Sequence, residues 1–121
     1  MILFIDTTVW GKIRFALIDT EKQKILELNK DLPHAESNKM LRLLDGFINK
    51  NKEQISKIVV CSGPGSFTGT RVGVAIALGY SFGLNIPVVT LLARQVPTDL
   101  LGLKRIKTTQ FRIEYSRPAV D

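Results

Sequence analysis

The stretch CSGPGSFTGTR, Cys61 to Arg71, places three glycines, one proline and four hydroxyl side chains in eleven positions, directly after the apolar run Ile58-Val59-Val60. A short apolar strand that feeds a glycine loop and then a helix admits three readings. The loop could cradle a phosphate at the helix start, raise a nucleophile on a strained elbow, or turn sharply to deliver the helix to a fixed place.

The residue spacing tests each in turn. A Walker A loop needs Gly, four residues, then Gly-Lys-Ser/Thr, but Gly63 plus five is Thr68, and Gly69 is followed by Thr70, so the phosphate-reaching lysine is missing. The dinucleotide fingerprint fails because the third glycine after Gly63 and Gly65 arrives one position late, at Gly69. A hydrolase elbow sets glycines two residues either side of its serine, whereas Ser66 has Pro64 and Thr68 there. What remains is a strand-loop-helix junction. Gly65, Ser66, Thr68 and Gly69 stay weak candidates for an anion at the helix start, and a Ser66 or Thr68 cap with glycines at positive φ explains the same residue types without a ligand.

Outward from the loop, Ile58 to Cys61 reads as a strand covered on both faces, Thr70 to Leu84 as a helix, and Pro87 to Leu91 as another buried strand. Upstream, Ile2 to Asp6 and Lys12 to Asp19 are strands turned at Val9-Trp10-Gly11, and Ile25 to Leu28 is a shorter third. After Pro33 comes a helix with Met40, Leu43, Leu44, Phe47 and Ile48 on one face and Lys39, Arg42, Asp45 and Asn49 on the other. The order βββαβαβ, with an antiparallel N-terminal meander and a right-handed crossover between the last two strands, predicts an α/β lobe with a mixed five-stranded sheet of the ribonuclease H type. Beyond Leu103 the pattern weakens, and Gln110 to Tyr115 offers one last short strand.

The second helix carries an unusual load of glycine. Gly73, Gly79 and Gly83 each cost about 1 kcal/mol relative to alanine in a helix interior. At 100° per residue, Val72, Ala75, Ile76, Gly79 and Gly83 fall with Gly69, Gly73 and Ala77 on one broad face of small or β-branched side chains, while Val74, Leu78, Phe82 and Arg71 lie opposite. A helix apolar nearly all round is buried on two sides. One side is its own sheet; the other is covered either by the preceding helix or by another protein.

Composition bounds the rest. With 121 residues and 45% hydrophobic content the chain suits one globular domain rather than a two-lobed enzyme. Cys61 is the only cysteine and His34 the only histidine, which excludes an internal disulfide and a zinc site built from Cys and His, and fits a reducing cytoplasm. The start, MILFIDTTVW, lacks the basic region and cleavage site of a signal peptide. Val72 to Ala93 is free of charge, yet Gly79, Gly83, Asn85 and Pro87 punctuate it as helix, turn and strand rather than as a membrane span. The net charge of +6 favours polyanions such as RNA, but it is scattered, and half of the excess lies in residues 94–121; a solvated surface explains it as well.

SGPGSFTGTRVGVAIALGYSFGLNIPVV, together with ILFIDTT at residues 2–8 and His34 ahead of the first helix, closely resembles the bacterial TsaB family, also called YeaZ. The resemblance covers about residues 1–92, and its GPGSFTG core is highly specific. It implies an ASKHA fold, with residues 1–92 as one ribonuclease H-like lobe and residues 93–121 as a remnant of the second lobe and tail; FRIEYSRPAVD, residues 111–121, is similar to the family's closing segment.

It also implies a role. TsaB proteins take part in threonylcarbamoylation of the adenosine beside the anticodon of certain tRNAs, pairing through the two helices of the first lobe with the catalytic subunit TsaD, a complex that the ATPase TsaE joins. Carried over, the pairing surface is Met40, Leu41, Leu44, Phe47, Val72, Ala75, Ile76, Gly79 and Gly83, a surface that also allows a homodimer. No catalytic residue, cofactor or metal is expected, and tRNA is met only through the complex. Asp6 in Asp6-Thr7-Thr8 sits where ASKHA enzymes keep a strand-end aspartate, but the glycine of the phosphate turn is absent, so a turn cap is expected. His34 alone cannot rebuild the paired-histidine metal site of TsaD-like proteins, and Cys61 has no histidine placed to activate it. The runner-up is an ATP-binding ASKHA phosphotransfer module, or a TsaD-like metallopeptidase homologue with its own activity.

Overall fold

The computed structural model describes residues 1–33 and 36–106. Five strands, β1 (Ile2–Asp6), β2 (Lys12–Asp19), β3 (Lys24–Asp31), β4 (Lys57–Cys61) and β5 (Val88–Leu91), form one sheet in the order β3-β2-β1-β4-β5. The β1/β2 and β2/β3 pairs are antiparallel, and β4 lies parallel to both β1 and β5. Between them run α1 (Ser37–Ile48) and α2 (Phe67–Leu84). The mixed sheet with its N-terminal meander is the one the sequence predicts.

Strand alternation sorts the core into two layers. Leu3, Ile5, Ile13, Phe15, Leu17, Ile58 and Val60 point to one face, where Met40, Leu44 and Ile48 of α1 and Val74 and Ala77 of α2 cover them. Ile2, Phe4, Ala16, Ile18, Val59, Val89 and Leu91 point to the other face and meet Leu100 and Leu103. Those two leucines belong to a short 3-10 helix, Leu100–Arg105, preceded by another at Ala93–Gln95. Lys57 ties this cover down by donating from Nζ to the carbonyl oxygen of Ile106 at 2.9 Å. Partial burial pushes its ammonium pKa below the usual lysine value.

Several expectations are corrected. β3 runs four residues beyond the predicted Ile25–Leu28, because its ladder with β2 carries the exposed polar residues Lys24, Asn29, Lys30 and Asp31 into the sheet edge. α2 begins at Phe67 rather than Thr70, since Ser66 caps it. Beyond residue 92, Leu100 and Leu103, both buried, share a layer with four strands. His34 and the strand expected over Gln110–Tyr115 lie outside the described residues.

Candidate functional site

The glycine loop resolves as a docking device. Ser66 donates its N–H to the carbonyl oxygen of Thr8 at 2.8 Å, Ser62 donates to that of Leu91 at 2.8 Å, and Ala93 donates to that of Gly63 at 2.6 Å. The loop is thus stitched both to the end of β1 and to the exit of β5. Gly63 holds φ at +111°, a region that glycine enters without cost. Ser66 Oγ accepts from the N–H of Gly69 at 3.2 Å, an N-cap bond of the usual kind. A β-carbon on Gly65 or Gly69 would stand 2.4 Å from the carbonyl oxygen of Thr8 or Thr7, and one on Gly73 would stand 2.1 Å from Thr7 Oγ1. Three glycines therefore let the loop and the start of α2 press against Thr7 and Thr8, Gly65 and Gly69 on their backbone and Gly73 on the Thr7 side chain.

The four anion candidates do come together here. Two of the N–H groups an anion would need, those of Ser66 and Gly69, are spent inside the chain.

Asp6 closes the same corner. Its Oδ1 accepts from the backbone N–H of Thr8 at 3.0 Å and from the Thr8 hydroxyl at 2.7 Å, which is the geometry of a turn cap. Cys61 is buried, and burial first, then the charge of Asp6, pushes its thiol pKa up, so the neutral form dominates at neutral pH. No group of three or more His, Cys, Asp or Glu that could hold a metal ion occurs among the described residues.

The helix pair gives a different picture. α1 and α2 both seat on the sheet but leave between them an apolar groove of about 620 Å³, lined by Leu41, Val72, Ala75, Ile76, Gly79, Gly83 and Leu84, with Ser37, Lys52 and Tyr80 as its polar members. Six of the nine residues expected on a pairing surface line it. Of the others, Met40 and Leu44 are corrected: at 1% and 0% exposure they are core residues beneath α1, turned to the sheet by the same period that places Leu41 outward. Phe47 is half-buried against that core and stacks at a tilt on Phe15, with ring centroids 6.4 Å apart.

The small-residue face of α2 divides in two. Gly69, Gly73 and Ala77 turn inward, while Ala75, Gly79 and Gly83 are exposed, and a β-carbon on Gly79 or Gly83 would meet nothing within 4 Å. Among the described residues nothing requires glycine at those two positions. Beside this lane stand Leu78, 42% exposed, and Phe82, 91% exposed, so the expectation that both lie opposite it with inward-facing Val74 is corrected. Both extend the apolar surface. Their signal was present in the sequence, since they sit one turn apart next to Ala75 and Gly79, but periodicity alone does not say which arc faces the sheet.

A network of polar groups borders the groove. Tyr80 of α2 donates its hydroxyl to Asp45 Oδ1 of α1 at 2.9 Å, and Lys52 Nζ, from the short 3-10 helix Lys52–Gln54, donates to the same oxygen at 3.1 Å. The lysine nitrogen also lies 5.7 Å from the centre of the Tyr80 ring. The hydrogen bond from Tyr80, then that from Lys52, holds the Asp45 carboxyl below its usual range, and burial followed by Asp45 pushes the Tyr80 phenol well above its own.

The strand order, the meander and two helices on one face define a ribonuclease H-like α/β lobe with an open helix-pair groove. The family model of TsaD, the tRNA N6-adenosine threonylcarbamoyltransferase, matches residues 34–93. The tRNA threonylcarbamoyladenosine biosynthesis protein TsaB of Buchnera aphidicola is 29% identical over 111 residues, a match covering 79% of this chain and 50% of that protein. TsaB of Haemophilus influenzae is 32% identical over 91 residues, covering 73% and 37%. Among solved structures, YeaZ from Pseudomonas aeruginosa superposes with a TM-score of 0.65 at 22% identity, over 75% of this chain and 44% of that one, a likeness of fold. Over the residues it spans, the chain belongs to the TsaB (YeaZ) family. It spans half or less of the length of these relatives.

Proposed function

We propose that this chain is a non-catalytic scaffold of tRNA N6-threonylcarbamoyladenosine synthesis, which pairs through the α1/α2 groove with a TsaD-like catalytic subunit and activates it. The observation that carries this reading is the exposed lane of Ala75, Gly79 and Gly83 beside Phe82. Two helix glycines at about 1 kcal/mol each, and a large aromatic left in water, are costs the lobe bears without return of its own. A close-packed helix from another subunit offsets both. Membership in the TsaB family supplies the pathway, as the named relatives are threonylcarbamoyladenosine biosynthesis proteins.

On this reading a TsaE-like ATPase and tRNA meet the chain through the complex, a homodimer through the same helices competes with the catalytic subunit, and the site of action is the cytoplasm. No helix among the described residues is long and apolar enough to cross a membrane. The alternatives, an ATP-binding phosphotransfer module or a TsaD-like metallopeptidase homologue, are less well supported. Asp6 is engaged in its own turn and the loop N–H groups of Ser66 and Gly69 have partners within the chain.

Co-expression with the TsaD-like subunit of the same genome tests the proposal. Wild type should co-purify with it and restore threonylcarbamoyladenosine to tRNA in cells lacking their own TsaB, whereas Gly79→Leu should do neither while keeping its fold. Stoichiometric co-purification of that variant would place the pairing surface elsewhere. Tight calorimetric binding of Mg-ATP by the isolated chain would favour the enzyme reading.

A further inference from the structure

Among the described residues Lys52 is the one charged side chain in the wall of a mostly apolar groove. It is not loose there. One of its three N–H donors is committed to Asp45 Oδ1 at 3.1 Å, and its nitrogen rests 5.7 Å from the centre of the Tyr80 ring, itself held by its hydroxyl on the same carboxylate oxygen at 2.9 Å. Three separate elements, α1, α2 and the 3-10 helix Lys52–Gln54, thus converge to hold one ammonium at the edge of the groove. The side chain of Lys52 remains 38% exposed, and that of Asp45 54% exposed.

Covering the groove takes Lys52 out of water. Its two remaining donors then need acceptors, because an ammonium buried with unsatisfied donors is costly. Asp45 lies outside the groove lining and stays largely solvated, so it neutralises Lys52 only in part. The occupant must therefore bring oxygen to this point. A flat, small-residue lane formed by Ala75, Gly79 and Gly83 accepts a helix at close range.

We propose that the groove takes an apolar helix of the partner subunit that carries a carboxylate opposite Lys52, with Asp45 and Tyr80 as the residues that position the ammonium. This rests on the reading that the groove is where another subunit docks. Lys52 then acts as a specificity determinant: it favours an acidic partner helix and rejects one that is wholly apolar or basic.

The test is the affinity of the full chain for the TsaD-like subunit, measured by titration at several salt concentrations, in wild type and in Lys52→Glu, Lys52→Met, Lys52→Arg and Tyr80→Phe. Lys52→Glu should weaken pairing at least about tenfold and Lys52→Met should remove most of its salt dependence. Lys52→Arg should retain it. Tyr80→Phe should weaken pairing by a smaller factor and lower its salt dependence, which a purely structural role would not give, alongside a small fall in melting temperature from the lost bond to Asp45. Gly79→Leu serves as the control for the groove itself. If Gly79→Leu abolishes pairing but Lys52→Glu changes it less than about threefold, the carboxylate contact is wrong and the groove reading stands. If neither matters, both fall. A groove filled by a second copy of the chain, which the TsaD-like subunit cannot displace, also overturns the proposal.

Discussion

The hydroxyl of Thr7, donating to the carbonyl oxygen of Gly69 at 2.5 Å, fills the space where a β-carbon on Gly73 would stand. This contact fixes the start of α2 against the end of β1, and with it the orientation of the groove. Gly73→Ala should destabilise the lobe by about 1–3 kcal/mol, because overpacking and a lost buried hydrogen bond outweigh the roughly 1 kcal/mol gained in helix propensity. Thermal or urea melts check this. Thr7→Ala combined with Gly73→Ala should cost less than the sum of the two single changes, as neighbours that clash do not add.

Gly79 is the counterpart with the opposite sign. A β-carbon there meets nothing, so Gly79→Ala should stabilise the isolated chain by about 1 kcal/mol, a few degrees in melting temperature. The same methyl should weaken pairing in a titration with the TsaD-like subunit. A variant that gains stability while its affinity is unchanged would mean that no helix approaches closely at this point.

Leu103 lies on the opposite face of the sheet at 0% exposure, with Phe4 and Val59 in its layer. Leu103→Ala should cost about 2–5 kcal/mol in a denaturant melt. A loss below 1 kcal/mol would mean that residues 93–106 contribute little to the core.

Tyr80 gives a pH dependence with a definite sign. Its folded pKa is raised above the ordinary 10.0, first by burial and then by its bond to Asp45, so the folded state keeps a proton that the unfolded chain releases. The stability it contributes is fully present below pH 10 and is lost as the pH rises beyond it. Asp45 is shifted the other way, so its contribution is present above the ordinary carboxylate pKa of 3.8 and is lost at lower pH. Phenolate absorbance during an alkaline titration should show one tyrosine ionising late in wild type, and that late step should vanish in Tyr80→Phe.

The sequence makes some of this plain. β1 and β2 are bounded as their apolar alternation predicts, and the loop motif marks the strand-to-helix junction. β3 is harder to read because an edge strand with one half-buried side chain, Leu28, leaves no two-faced pattern. The cover formed by Leu100 and Leu103 is invisible for another reason: two leucines three apart in a 3-10 helix give too short a repeat to stand out. The division of the α2 glycines into a pair that touches Thr7 and a pair that touches nothing depends on contacts across sixty residues, beyond the reach of local spacing. For the same reason Met40 and Leu44 fall inside while Leu78 and Phe82 fall outside.

The underside of the sheet, sealed by Leu100 and Leu103, has a practical meaning. That face is covered from within the described residues, whereas the helical front keeps an open groove. Loss of partner binding in a groove variant can then be assigned to the front, without a collapsing scaffold to confuse the result.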